Sequence, residues 1–307
     1  MTDIFAGRPG DGVAAGAIGD ATHIEGGRGR RTSVRQKLGR SGVAALIVIG
    51  LLVAMGLLAP VLPLPDPAKT GLADRFAGPS GRHLLGTDSN GRDLLSWMVW
   101  GARSSLFGPL IVTFFATVVG TALALFASWR GGWVDTVLSR VFDIVFAFPG
   151  ILLALIAAAV LSSGQTAAVI ALSIAYLPYV ARIVRSAALQ QVEQPYVSAL
   201  WVQGQSGWRI ASRHILGNLS GLVLAQTTLT FGYSMIDLAA LSFLGVGASQ
   251  NTPDWGVMVA GGQSSIIQGH PQQSLFGGAM LFIAVLAFSV LGERLGGSTR
   301  RWQRRAG

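Results

Sequence analysis

The sequence predicts an all-α integral membrane protein with six transmembrane helices. Of its 307 residues, 51% are hydrophobic and only 12% are charged, and its mean hydropathy is +0.53. A soluble domain carries about 25% charged residues, so this composition argues against a soluble core. The charged residues are also scarce in six long runs, which is typical of a bilayer because a charge at its centre is costly.

Each of the six runs is close to the roughly 20 residues that a helix needs to cross the bilayer core. They are residues 43–64, 106–128, 144–161, 166–184, 219–244 and 275–291. The first run is too long for the apolar region of a signal peptide, so we interpret it as an uncleaved span. Pro149 and Pro178 predict kinks in the third and fourth spans, since proline lacks a backbone donor.

The basic residues predict the orientation of the chain. With six spans and both termini in the cytoplasm, 18 of the 23 Lys and Arg residues are cytoplasmic and five are external. Cytoplasmic loops of membrane proteins carry such an excess. The net charge of +9 does not indicate a nucleic-acid partner, because the basic residues flank apolar runs, where they meet lipid headgroups.

The chain divides into four parts. Residues 1–40 are rich in Gly and Arg without apolar periodicity, which predicts a disordered cytoplasmic N-terminal tail. Residues 41–100 hold the first span and an external loop. Residues 101–293 hold the other five helices with a cytoplasmic loop at 185–218, and residues 294–307 form a basic cytoplasmic C-terminus.

That cytoplasmic loop predicts two short helices joined by a turn. Pro195 suits the first position of one helix, and Gly204 can end it in the left-handed conformation that glycine adopts most easily. Ser206 can cap a second helix, which Gly217 ends, and Asn218 then caps the fifth span.

The second predicted helix has two distinct faces. Trp208, Ala211 and Ile215 lie on one, and Arg209 and Arg213, four residues apart, lie on another. A helix–glycine–helix elbow with such faces suits docking against another protein.

Two external segments have the composition of turns that lead into helices. In the run His-Leu-Leu-Gly-Thr-Asp-Ser-Asn-Gly-Arg-Asp at 83–93, a turn precedes an interfacial helix predicted at 92–103 and capped by an Asx residue. After the fifth span, Thr252 can cap a helix with Pro253 in its first turn. Trp255 then either lines a gate or anchors the chain at the membrane interface.

Asp237 lies within the fifth predicted span, where an ionisable residue is a functional candidate by default. It can face a cavity, bond a neighbouring helix, or lie nearer the membrane surface. The sequence leaves these alternatives open.

Together these segments resemble the permease subunits of ABC importers. The loop matches the coupling-loop pattern of that family at Ala199, Gly204, Ile215 and Leu216. It departs from the pattern at three positions: the family has Glu, Ala and Pro where this chain has Ser198, Leu200 and Gly217, respectively. The runs at 83–93, 241–247 and 252–256 are similar to signatures of the second permease subunit of dipeptide, oligopeptide and nickel importers, and the resemblance covers about residues 40–295.

The resemblance implies a type I ABC importer permease fold in a bacterial plasma membrane. It implies a heterodimer with a second permease, two cytoplasmic ABC ATPases that bind ATP and Mg, and an external solute-binding protein. The chain itself is then a transport subunit, not an enzyme, and it needs no cofactor or metal. Peptides are the expected solute, with nickel or another small solute as the alternative.

The resemblance also implies which residues act. The ATPase-coupling residues are Tyr196, Ser198, Ala199, Leu200, Gly204, Trp208, Arg209, Ala211, Ile215 and Leu216. The residues of the translocation pathway are Asp237, Ser242 and Trp255.

Missing motifs support a transport role without catalysis. The sequence has no Gly-x-x-x-x-Gly-Lys-Ser/Thr phosphate loop, no cysteine and only four scattered histidines. Two rival functions are a proton-coupled secondary transporter that uses Asp237 and a membrane scaffold that transports nothing.

Overall fold

The computed structural model of the protein describes residues 34–161 and 164–303, so most of the predicted N-terminal tail lies outside the described residues. Within this part of the chain the regular structure is helical, apart from one isolated bridge between Thr87 and Asp93. The helices are α1 (Val34–Leu58), α2 (Leu94–Arg130), α3 (Gly132–Phe146), α4 (Gly150–Leu161), α5 (Gln165–Val192), α6 (Pro195–Val202), α7 (Gly207–Arg209), α8 (Leu216–Phe243), α9 (Trp255–Gly261), α10 (Gln263–Ile267) and α11 (Gln272–Gln303). A 3-10 turn at Leu72–Asp74 and a π-helical turn at Ile210–Ile215 complete the set.

Four of the described helices are long and apolar enough to cross a membrane: α2, α5, the Gly39–Leu58 part of α1 and the Gln272–Gly296 part of α11. The pair formed by α3 and α4 makes a fifth if it is counted as one broken span. The predicted span at 219–244 corresponds to α8, which has 28 residues but carries polar side chains along its length. The structure therefore supports four to five spans by length and composition, and it adds α8 as a long, more polar helix.

The ends of two predicted spans need correction. The first was expected to reach residue 64, but α1 ends at Leu58, just before Pro60. The expected kink at Pro149 is a break, since α3 and α4 meet at 82°. Pro178 lies inside α5, which continues on both sides of it, and the expected kink there stays a prediction.

Small residues allow the central helices to approach closely. α2 packs along α5 and α8, while α11 packs against α8 and α1. Ala116 and Ala124 of α2 are fully buried, and a side chain added at Gly120 would lie 3.0 Å from the Leu177 carbonyl oxygen of α5. Small residues serve this purpose in membrane proteins, where helix association depends on close packing.

Candidate functional site

The elbow between α5 and α8 begins as the sequence predicts. Pro195 is the first residue of α6, and Gly204 ends it with a φ of 74°. The Gln205 amide donates to the Leu200 carbonyl at 3.1 Å, and the Gly204 amide donates to that of Trp201 at 2.9 Å. These bonds form a Schellman motif, so Gly204 fixes the direction in which the chain leaves α6.

The second half of the elbow differs from the prediction. After Ser206, which occupies the cap position without a side-chain capping bond, the chain stays helical from Gly207 to Phe243 through the π-helical turn. Gly217 lies inside α8, and Asn218 caps nothing. Ile215 and Leu219 are buried in one core cluster on both sides of the expected break, and this burial outweighs the roughly 1 kcal/mol that a helical glycine costs.

The predicted face of Trp208, Ala211 and Ile215 is also wrong. Ala211 and Ile215 are 2% and 1% exposed, whereas Trp208 is 66% exposed. A π-helical turn holds more residues than an α-helical turn, so the expected three- and four-residue spacing no longer places these side chains together. Ala211 and Ile215 therefore anchor the elbow inside the chain and are unavailable to a partner.

The remaining predicted coupling residues fall into two groups. Tyr196, Leu200 and Leu216 are partly buried and pack against the core cluster that contains Ile215. Exposed side chains form what we term the elbow surface: Ser198, Ala199, Trp201, Val202, Trp208 and Arg209. Its apolar members are prominent, with Val202 89% exposed and Trp201 54% exposed.

Trp129 holds the elbow against the end of α2, a contact that the sequence did not predict. Its ring stacks on that of Trp201 with a centroid distance of 5.2 Å and an interplanar angle of 14°. Gly207 approaches the same ring so closely that an added side-chain carbon would lie 2.2 Å from it. The end of α2 and both arms of the elbow are therefore in contact through the indole ring of Trp129.

A polar triad joins the elbow to its two flanking helices. Gln191 of α5 accepts hydrogen bonds through Oε1 from the Tyr196 hydroxyl at 2.9 Å and from Asn218 Nδ2 at 3.3 Å. Asn218 Nδ2 also donates to the Tyr196 hydroxyl oxygen at 3.1 Å. Asn218 therefore positions α6, in place of its predicted capping role.

Two ion pairs fasten α3 to α5 near the elbow. Arg185 contacts Asp135 through both Nε and Nη2, and Arg182 Nη2 donates to Asp143 Oδ1 at 2.6 Å. The Arg185 pair is the less exposed of the two. Bidentate geometry makes it the stronger link.

Asp237 bonds a neighbouring helix, one of the alternatives that the sequence left open. The Tyr176 hydroxyl of α5 donates to its Oδ2 at 2.8 Å. Both side chains are only partly buried, so the pair also reaches the surface of the chain.

Ser242 and Trp255 are buried within the chain, and their predicted place in the pathway stays a prediction. Trp255 is 0% exposed and donates through Nε1 to the Met98 carbonyl at 2.9 Å. Ser242 is 4% exposed and accepts from the Ala248 amide at 3.0 Å.

Asp254, not Thr252, caps α9. It accepts from the Gly256 amide at 2.9 Å and from the Val257 amide at 3.2 Å, while Ser105 donates to its second oxygen at 2.8 Å. The cap therefore also ties α9 to α2.

The loop before α2 folds around Asp88 as predicted. Its Oδ1 accepts from the amides of Asn90 and Arg92 at 2.8 Å each, and burial raises the pKa of this carboxyl. Asp93 caps α2 by accepting from the Ser96 amide at 2.7 Å. The predicted interfacial helix at 92–103 is wrong in its extent, because this helix continues to Arg130.

A cavity of about 520 Å³ lies between this loop and the segment around α9. Its lining is mostly polar, and Arg92 reaches across the cavity wall to Asn251 Oδ1 at 3.0 Å. In the described residues no group of three or more His, Cys, Asp or Glu side chains could hold a metal ion.

The chain is similar in sequence to a known family and to several named proteins. A family model described as "Binding-protein-dependent transport system inner membrane component" matches residues 97–304. The chain is 37% identical over 259 residues to the dipeptide transport system permease protein DppC of Alkalihalophilus pseudofirmus, covering 84% of this chain and 85% of that one. It is 37% identical over 254 residues to the glutathione transport system permease protein GsiD of Pectobacterium atrosepticum, covering 82% and 84%.

A third relative and a solved structure agree with this result. A putative peptide transport system permease protein of Brucella suis is 37% identical over 265 residues, covering 86% of this chain and 88% of its own. An inward-facing structure of the MetNI methionine ABC transporter superposes with a TM-score of 0.56 at 19% identity, covering 67% of this chain and 97% of the other. That likeness establishes a shared fold.

Proposed function

The chain belongs to the family of inner membrane components of binding-protein-dependent transport systems, and from that premise we propose that it forms half of the translocation pathway of an ATP-driven peptide importer. In this proposal it pairs with a second permease, two ATPases bind its cytoplasmic side, and an external binding protein delivers the solute. Both termini and the elbow face the cytoplasm, as the basic residues favour.

Peptides are the solute that the relatives favour. The matched proteins from three genera are named for dipeptide, glutathione and peptide transport. Nickel remains the alternative, and no described cluster of ligating side chains supports it.

The elbow surface is the observation that supports coupling to an ATPase. It exposes large apolar side chains next to Arg209. Exposed apolar side chains grouped in this way mark protein interaction sites. The family's Glu is replaced by Ser198, so we expect apolar contact to contribute more than a salt bridge at this position.

The geometry suggests how a movement of the ATPases would reach the membrane. The second arm of the elbow is continuous with α8, which carries Asp237. The stacked Trp129 connects the same elbow to α2. A displaced elbow therefore moves two long helices together, and alternating access follows from a rigid-body shift that needs no catalytic residue here.

Uptake by reconstituted complexes tests this proposal against its rivals. Proteoliposomes should hold the chain, its partner permease and the ATPases, with binding protein and a labelled dipeptide outside and ATP inside. We expect uptake that requires ATP and the binding protein. Uptake driven by a pH gradient without the ATPases would support a secondary transporter, and the absence of ATPases in a pull-down of the tagged chain would support a scaffold.

A further inference from the structure

Asp237 completes a ring of four polar and aromatic side chains between α5 and α8. Tyr176 donates to its carboxylate at 2.8 Å, and Tyr179 packs edge-on against Tyr176 with a centroid distance of 6.4 Å. Tyr233 packs edge-on against Tyr179, also at 6.4 Å. Since Tyr233 and Asp237 lie four residues apart, they are neighbours on one side of α8, which closes the ring.

This ring lies deep in the membrane. The start of α5 adjoins the end of α8, because the Gly164 amide donates to the Val246 carbonyl at 3.3 Å. At a rise of 1.5 Å per residue, Tyr176 and Tyr233 are each roughly 15–18 Å from those ends, and Asp237 is roughly 9 Å from the end of α8. With those ends at the membrane surface, the ring extends from about a third of the way into the bilayer core at Asp237 to its middle at Tyr176 and Tyr233.

The Asp237 carboxylate has hydrogen-bond acceptor sites that the described residues leave unused. It receives one hydrogen bond among the described residues, from Tyr176, although a carboxylate has about four acceptor sites. The neighbouring arginines of α5, Arg182 and Arg185, are paired with Asp143 and Asp135. A carboxylate in a membrane span without a cationic partner is a functional candidate.

A glycine adjoins this carboxylate. The break between α3 and α4 brings Gly150 next to it, where an added side-chain carbon would lie 3.9 Å from Asp237 Oδ2. Tyr233 is 46% exposed, so the ring opens on the surface of the chain.

We propose that Asp237, Tyr176, Tyr179 and Tyr233 form a binding site for an organic ammonium group on its way across the membrane. A carboxylate supplies the opposite charge, and aromatic faces attract cations through their quadrupoles, most strongly where water is excluded. The inference rests on the proposed function only in identifying the ammonium as the N-terminal amino group of a peptide.

Cysteine labelling tests the site directly, because the chain contains no native cysteine. Tyr233→Cys, or Tyr179→Cys if the first variant fails to assemble, is labelled in the full complex without binding protein. The reagents are a trimethylammonium and a sulfonate methanethiosulfonate of similar size, and the mass of this chain reports the rate. The ratio of the cationic to the anionic rate should fall by at least about tenfold when Asp237→Asn is added, because a unit charge a few ångströms away acts even through water and acts more strongly where the dielectric is low.

Protection by a peptide separates the site from the identity of the solute. Dialanine should slow labelling by the cationic reagent, and N-acetyl-dialanine, which lacks the ammonium, should not. A charge preference that depends on Asp237 without protection by dialanine would support the cation site and count against peptides as the solute. An equal rate ratio with Asp237 and with Asn, or no labelling of either cysteine in an assembled complex, would overturn the proposal.

Discussion

The indole rings of Trp129 and Trp201 stack 5.2 Å apart, and this contact joins the end of α2 to the first arm of the elbow. The two residues are far apart in sequence and belong to different helices. If the elbow transmits the movement of an ATPase, this stack is one of its two routes into the membrane helices.

We expect Trp129→Ala to weaken coupling without preventing assembly. A stacked aromatic pair contributes about 0.5–1.5 kcal/mol, so solute-stimulated ATP hydrolysis should fall by roughly two- to tenfold. Trp133→Ala is the matched control, because Trp133 is 76% exposed on α3. Equal effects of both substitutions would show that the stack has no special role.

The two ion pairs between α3 and α5 should differ in strength. Asp135→Ala breaks a partly buried bidentate contact with Arg185, and we expect it to lower the stability of the complex by about 1–3 kcal/mol. Asp143→Ala breaks a contact whose partners are more than half exposed, and it should cost less than about 1 kcal/mol. The midpoint of thermal unfolding in detergent measures both, and a larger loss for Asp143→Ala would contradict the structure.

Asp237→Asn should reduce solute uptake while the complex assembles at a normal level. The substitution keeps the size of the side chain and removes its charge. If Asp237 lines the pathway, the pathway therefore loses its attraction for a cation. Asp237→Glu retains the charge and should keep more activity. Normal uptake by the Asn variant at normal protein level would assign Asp237 to helix packing alone.

The orientation can be mapped with reporter fusions. Fusions after Gly131, after Gln203 and at Gly307 should report the cytoplasm. Those after Gly81 and Gln250 should report the outside, because five of the 23 basic residues are predicted there against 18 inside. A single reversed loop would refute this topology.

Local chemistry made the first arm of the elbow predictable from sequence. Pro195 and Gly204 act through their own backbone preferences, and both occupy the expected positions. The second arm was not predictable, because burial of Ile215 and Leu219 overrides the helix-ending preference of Gly217. The roles of Trp129 and Gln191 depend on contacts between distant segments, which a single sequence does not show.

In the membrane region, too, features set by local sequence were predictable, and contacts between distant segments were not. Apolar runs located the long helices, and the Pro149 signal located the break between α3 and α4. Burial of Trp255 could not be read from the sequence, since its indole donor finds a partner on α2, at Met98. Nor could the tyrosines around Asp237 be identified, because α5 and α8 meet only in the folded chain.

The most direct test of the account is ATP hydrolysis by the purified complex that carries Gly204→Val, measured with and without loaded binding protein. At a φ of 74° a β-branched side chain costs on the order of 1–3 kcal/mol of strain, which a change in the angle between the two arms would relieve. Gly269→Val is the matched control, with a φ of 83° and open space around it, far from the elbow in sequence. We predict that Gly204→Val assembles but loses most of the stimulation by loaded binding protein, while Gly269→Val keeps it. Full stimulation in an assembled Gly204→Val complex would contradict the claim that this elbow couples ATP hydrolysis to transport.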